Sequence, residues 1–240
     1  MKHILITGAT SGIGETTARF YNQNHDDVSL ILIGRREDKL KKMIEEFGED
    51  NYYIVFDFAG EQPIGDIFEK CHEWKIKLDG LVHCAGIGAE MPVRSIDMDL
   101  VRQAYEVSTF SFLELGKYFS KKKYTNDGAS IVTMTSYVTR LCNKGMIAYA
   151  SSKSAIETSL KIMAKELVSR KIRVNGVAPS FVDTPLISES VVEERAITGG
   201  VLQKYGIIPP EQVAYLVDFL MSERAAYITG EVIGISGGVE

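Results

Sequence analysis

Apolar residues along the chain fall into short continuous runs separated by longer stretches of helical periodicity. The runs are His3–Thr7, Val28–Ile33, Tyr52–Phe56, Gly80–His83, Ser130–Met134, Arg173–Ala178 and Glu231–Ile235. They are continuous, not alternating, which is the pattern of strands buried on both faces of a parallel sheet. Helical candidates lie between them at Gly12–Asn24, Glu37–Phe47, Asp97–Lys123, Tyr149–Ser169 and Glu211–Ser222. Strands alternating with helices predict an α/β chain in three layers, doubly wound on a seven-stranded parallel sheet. No repeat, low-complexity tract or Pro/Gly/Ser linker interrupts the pattern, so residues 1–240 are expected to form a single domain.

Composition narrows the function. Of 240 residues, 45% are apolar and a quarter are charged, with 27 basic against 32 acidic side chains and a net charge of −5. This is ordinary globular composition, and its mild acidity argues against a nucleic-acid partner. No apolar stretch approaches about 18 residues, so no membrane span is expected. The start, MKHILITG, is too short for a signal-peptide core. Cys71, Cys84 and Cys142 are odd in number and lack CxxC spacing. That points to a reducing compartment, the cytoplasm, without a disulfide frame. Cys142 reads as a buried, inert thiol in the loop beyond Ser136. The histidines at 3, 25, 72 and 83 have no metal-ligand spacing and read as structural or surface residues, so no metal site is expected.

The segment TGATSGIG, residues 7–14, follows the first strand and opens the first helix. Gly8, Gly12 and Gly14 let the backbone turn sharply, and with Thr10, Ser11 and Ile13 they place helix N–H groups where a pyrophosphate can approach. The spacing is GxxxGxG, not GxGxxG, and resembles that of the short-chain dehydrogenase/reductase family. A Rossmann-type fold follows from that resemblance.

The position about 20 residues further on selects the cofactor: an acid holds the ribose 2′-hydroxyl of NAD, whereas an arginine accommodates the 2′-phosphate of NADP. Here the slot is Gly34, followed by Arg35 and Arg36. Guanidinium groups suit a dianionic phosphate in charge and fork geometry, so NADP(H) is expected. The alternative is that both arginines are solvated and Glu37 takes the ribose. Asp57 and Phe58, after the third strand, fall on the cofactor by resemblance, Asp57 against adenine.

Tyr149-Ala-Ser-Ser-Lys153 matches YxxxK, as does Tyr118 with Lys122. Context separates them. Ser136 lies 13 residues before Tyr149, off the end of an apolar run, while the same offset from Tyr118 falls at Tyr105 inside a predicted helix. Tyr149 and Lys153 share one helical face. Carbonyl reduction needs a proton as well as a hydride. An ammonium about 4 Å from the phenol contributes ~4 kcal/mol at an effective dielectric near 20, enough to bring a pKa of about 10 toward 7, with desolvation opposing. Ser136 would hold the substrate oxygen.

The resemblance runs on through the chain. Residues 79–86, DGLVHCAG, resemble the strand ending in Asn-Asn-Ala-Gly and imply that Cys84, Ala85 and Gly86 approach the cofactor. Residues 173–184 resemble the segment around the nicotinamide, implying Pro179, Ser180, Val182 and Thr184. Residues 228–238 resemble the last strand. Three departures stand out: His83-Cys84 replaces Asn-Asn, Ser180 replaces Gly, and Ser108 stands where the family has an Asn that helps hold a water linked to the lysine. Residues 185–208 correspond to the substrate lid, with Gly199-Gly200 as hinge. The implied partner is a small carbonyl or alcohol: a 3-oxoacyl thioester, a sugar-derived ketone or another carbonyl. The family also implies a homo-oligomer, tetramer or dimer, through the two long helices, with Ala155, Ile156, Leu160, Ile162 and Met163 on the exposed side of the second. The rival readings are an NADP(H)-binding sensor or scaffold without catalysis, and an NAD-linked alcohol dehydrogenase.

Overall fold

The computed structural model describes residues 1–187 and 203–239. Seven parallel strands form one sheet in the order β3-β2-β1-β4-β5-β6-β7. They are β1 (Lys2–Thr7), β2 (Val28–Gly34), β3 (Tyr52–Val55), β4 (Leu78–His83), β5 (Thr125–Met134), β6 (Arg173–Pro179) and β7 (Val232–Ile235). The helices are α1 (Gly12–Asn24), α2 (Glu37–Phe47), α3 (Gly65–Glu73), α4 (Met98–Tyr105), α5 (Ser111–Phe119), α6 (Val138–Leu141), α7 (Ile147–Leu167) and α8 (Pro210–Met221). The predicted doubly wound sheet is therefore what the chain forms.

Strand side chains alternate between two apolar layers. Leu5, Ile31, Leu81, Ile131 and Val174 pack with Phe68, Phe112 and Ile156 on one face. Ile4, Ile6, Leu30, Val82, Val132 and Val177 pack with Leu40, Val213 and Val217 on the other. Helices cover both faces, which explains why the strand runs carry no polar alternation.

Four expectations are corrected. Helix α3 appears where none is predicted. Its buried Ile64, Ile67, Phe68 and Cys71 carry the i, i+3, i+4, i+7 spacing in a segment too short to stand out. The single long helix over 97–123 is two helices joined by a π turn at Glu106–Phe110. There the Val107 carbonyl accepts the Ser111 hydroxyl at 2.6 Å, and the Ser108 carbonyl accepts the His83 ring at 3.2 Å, so side chains occupy part of the helical ladder. Ile156 and Leu160 on α7 are fully buried in the core; Ile162, 54% exposed, faces outward. Cys142 is exposed, in a left-handed residue closing α6.

Candidate active site

The strand order reverses between β1 and β4, and ligands of doubly wound sheets bind outside the strand ends at that point. A cleft of about 1130 Å³ opens there. Gly8, Thr10, Ser11, Gly12, Ile13, Gly14, Arg35, Arg36, Asp57, Phe58, Cys84, Ala85, Gly86, Ser136, Tyr149, Lys153, Pro179, Ser180, Val182 and Thr184 all line it. The structure thus places these cofactor and catalytic candidates along one cavity, while Ser108, Glu37 and Cys142 are not among its lining residues. The competing pair does not belong to it: Tyr118 stacks on Phe68 at 5.3 Å, on the α3–α5 side of the sheet.

The glycine loop is shaped for close backbone approach. Gly8 (φ +66°) and Gly12 (φ +52°) are left-handed. A Cβ on Gly14 would lie 2.4 Å from the Gly8 carbonyl oxygen, so only glycine fits there. Thr7, at the end of β1, accepts the N–H groups of Cys84 and Ala85 at 3.1 Å each, fixing β4's end beside the loop. Gly34 closes β2, and Thr10 lies over it. Arg36 donates to the Thr10 carbonyl, and its Nε lies 3.4 Å from the Thr10 hydroxyl. Arg35 is exposed at the cleft lip. The cleft therefore offers a glycine-turned helix N-terminus and a lip with a guanidinium and no acid at the end of β2, a donor set that fits a dinucleotide.

The other half of the cleft holds the chemistry-bearing side chains. Ser136 follows β5, while Tyr149 and Lys153 project from the first turns of α7. The α7 backbone is tied to the π turn by Thr109, whose hydroxyl donates to the Ser152 carbonyl at 2.9 Å. The Lys153 ammonium is buried, donates to the Met134 carbonyl at 3.0 Å, and sits 5.8 Å from the Tyr149 ring centre. Burial pushes Lys153 down to about 8, with Cys84 opposing slightly. Burial raises Tyr149, and a hydrogen bond from Ser136 pulls it back only in part. Lys153 is not among the causes of this shift, whose direction is set by desolvation. Cys84, on the cleft floor, is pushed up to about 12 by burial and stays a thiol.

Residues around Ser108 were only partly legible. Its carbonyl is held by His83, while its hydroxyl is buried with no protein partner. That hydroxyl and the Lys153 ammonium border the same small space above Gly86, 3.4 and 3.2 Å from where a Cβ on Gly86 would sit. The sequence did not flag Thr7 or the Met134 carbonyl, since one is an ordinary strand residue and the other a backbone group. The cleft is also lined by the apolar Ile87, Val138, Leu141, Met146, Leu186 and Ile187, beside the polar Glu90, Gln103 and Asn143. The predicted lid falls largely on residues 188–202, so Glu193-Glu194, Arg195 and Gly199-Gly200 lie outside the described residues. Among the described residues no cluster of side chains is suited to a metal ion, and no helix is long and apolar enough to cross a membrane.

A doubly wound sheet that opens a glycine-lined cleft at its switch point belongs to the class of dinucleotide-binding proteins. Within that class the chain is a member of the short-chain dehydrogenase/reductase family of oxidoreductases. A family model described as enoyl-(acyl carrier protein) reductase matches residues 8–240. The chain is 32% identical to the 3-oxoacyl-(acyl-carrier-protein) reductase FabG of Thermotoga maritima, over 99% of this chain and 97% of that one. It is 29% identical to the 7alpha-hydroxysteroid dehydrogenase of Escherichia coli strain K12, over 99% and 93%. A short-chain dehydrogenase from Francisella tularensis superposes with a TM-score of 0.84 at 27% identity, over 99% and 98%. One from Mycobacterium ulcerans gives 0.86 at 25%, over 99% and 89%. The family uses a nicotinamide cofactor, and this chain is an oxidoreductase of that kind.

Proposed function

We propose that the protein transfers hydride between NADP(H) and a small carbonyl or alcohol, with Tyr149 as general acid/base. The observation that carries this reading is the convergence of Ser136, Tyr149 and Lys153 in one cleft with the glycine loop. NADPH, when bound, supplies the hydride. The protein's own groups do the rest. The loop of Gly8, Gly12 and Gly14 takes the pyrophosphate at the N-terminus of α1, and Arg35 takes the 2′-phosphate. Ser136 holds the carbonyl oxygen by donating to it, and Tyr149 donates the proton that this oxygen gains. Burial keeps the phenol protonated at neutral pH, which favours the reducing direction. The Lys153 charge stabilises the phenolate as it forms.

The apolar wall formed by Leu141, Met146, Leu186 and Ile187 favours an acyl or polycyclic ketone over a sugar-derived one. We place the enzyme in the cytoplasm on its unpaired thiols. We assign it a homo-oligomer through the exposed apolar residues Phe110, Leu113 and Ile162 of the π turn, α5 and α7. In the decisive experiment, Tyr149→Phe binds NADPH as the wild type does and turns over no member of an aldehyde and ketone panel. Wild-type-like turnover in that variant overturns the assignment.

A further inference from the structure

Gly34 is a glycine without a backbone reason. It is absent from the left-handed residues, so its conformation is open to any side chain. Its space is closed all the same: a Cβ there would lie 2.8 Å from Cγ2 and 3.2 Å from Oγ1 of Thr10. Those atoms cannot swing aside cheaply. Thr10 is β-branched and 6% exposed. Arg36 braces it through a donation to its carbonyl and a contact of 3.4 Å with its hydroxyl. We infer that Thr10 is a cofactor-specificity residue. Its side chain occupies the place above Gly34 where an acidic side chain would grip a ribose diol, and so commits the site to a phosphorylated ribose. Arg36 acts as a positioning residue for this plug, because its main donation is spent on the loop backbone. Arg35 is the guanidinium at the lip that the loop does not hold.

This inference deepens the NADP(H) reading and rests on it, but its steric half stands apart. Removing Cγ2 and Oγ1 leaves the Thr10 Cβ at 3.6 Å, an ordinary contact. The donation of Arg36 goes to a backbone oxygen and survives that change. The test therefore pairs thermal melting of Gly34→Ala, Thr10→Ala and the double variant with fluorescence titration of NADPH and NADH into Gly34→Asp and Gly34→Asp/Thr10→Ala. Gly34→Ala is expected to melt lower by about 4 °C, and the added Thr10→Ala to recover most of that loss. Gly34→Asp alone should gain no NADH affinity, while the double variant binds NADH about tenfold tighter than Gly34→Asp does. A Gly34→Asp protein that unfolds, but is restored by Thr10→Ala, supports the plug. Additive melting effects overturn the inference, as does Gly34→Asp binding NADH as well as the double variant does. A double variant that gains no NADH affinity does so too. Wild-type protein that prefers NADH overturns the NADP(H) reading instead, and leaves the melting rescue to be judged on its own.

Discussion

The Thr7 hydroxyl gives its only proton to Nδ1 of His83, 2.9 Å away. It has no other choice of role, because its oxygen already accepts the backbone N–H groups of Cys84 and Ala85. Nδ1 is therefore the bare ring nitrogen, and Nε2 carries the hydrogen that goes to the Ser108 carbonyl. One strand-end threonine thus orients the floor of the cleft and sets the tautomer of the histidine that holds the π turn. Thr7→Val removes a hydroxyl that serves three partners. Each buried group left unpaired costs about 1–3 kcal/mol, so the variant should lose roughly 3 kcal/mol or more of unfolding free energy. Thr7→Ser should keep nearly all of it. Urea unfolding of the three proteins measures both.

His83 is fully buried and held neutral, its pKa pushed down to about 3 by burial first and by the Lys153 charge second. In the unfolded chain it titrates near 6.5. Between these values the unfolded state binds the extra proton, so stability falls as pH drops through that window. The expected slope is about 1.4 kcal/mol per pH unit from this group. His83→Asn, which cannot take up a proton, should lose that slope. Parallel slopes for the two proteins between about pH 6 and 4 would show that His83 is not the titrating group.

Much of this architecture can be read from residue patterns, and the failures have physical causes. Strands buried on both faces announce themselves as apolar runs, and α1 and α2 begin and end where the periodicity puts them. Strand β5 starts five residues earlier than its apolar run, at Thr125. A bulge there carries Asn126 to Ala129 past Asp79, and polar residues hide the pairing. The split of the long helix depends on His83, which comes from another strand, so no local signal marks it. The residues that line the cleft could be gathered from the sequence because most of them lie in short motifs. The direction of the Tyr149 shift could not, because it depends on how deeply the folded chain buries the ring.

Gly14 carries the sharpest steric demand in the nucleotide loop. Its Cβ would meet the Gly8 carbonyl at 2.4 Å, and that atom is backbone, fixed by β1 on one side and α1 on the other. Gly14→Ala should force the loop open and weaken NADPH binding by at least about tenfold. Gly48→Ala is the control: nothing lies within 4 Å of its Cβ, although its positive φ of 95° adds a small strain. Its nucleotide affinity should equal that of the wild type. Titration of both variants with NADPH separates a loop effect from a general loss of folding.

The Ser108 hydroxyl is buried without a protein partner, which is a cost to the fold. Ser108→Ala should accordingly melt no lower than the wild type, and higher if the hydroxyl serves structure alone. Because this oxygen shares the space above Gly86 with the Lys153 ammonium, the same variant should turn over more slowly. A variant with unchanged turnover and a higher melting temperature marks Ser108 as an ordinary helix residue.

Tyr149 and Lys153 predict the shape of the pH profile. The phenol is raised by burial and holds its proton through neutral pH, as carbonyl reduction requires. The ammonium, lowered to about 8, loses its charge first as pH rises. Below that value the folded lysine is cationic and, in the proposed reaction, would stabilise the phenolate that forms when the proton is given up. Above it the charge is gone, and the transfer becomes harder. Single-turnover reduction of the best carbonyl substrate, with NADPH bound beforehand, should be level up to about pH 7 and decline beyond about 8. Lys153→Met should be slower throughout, and its decline should shift toward the titration of the phenol itself. A reduction rate that climbs through pH 8 in the wild type would mean that the buried ammonium does not assist the proton transfer.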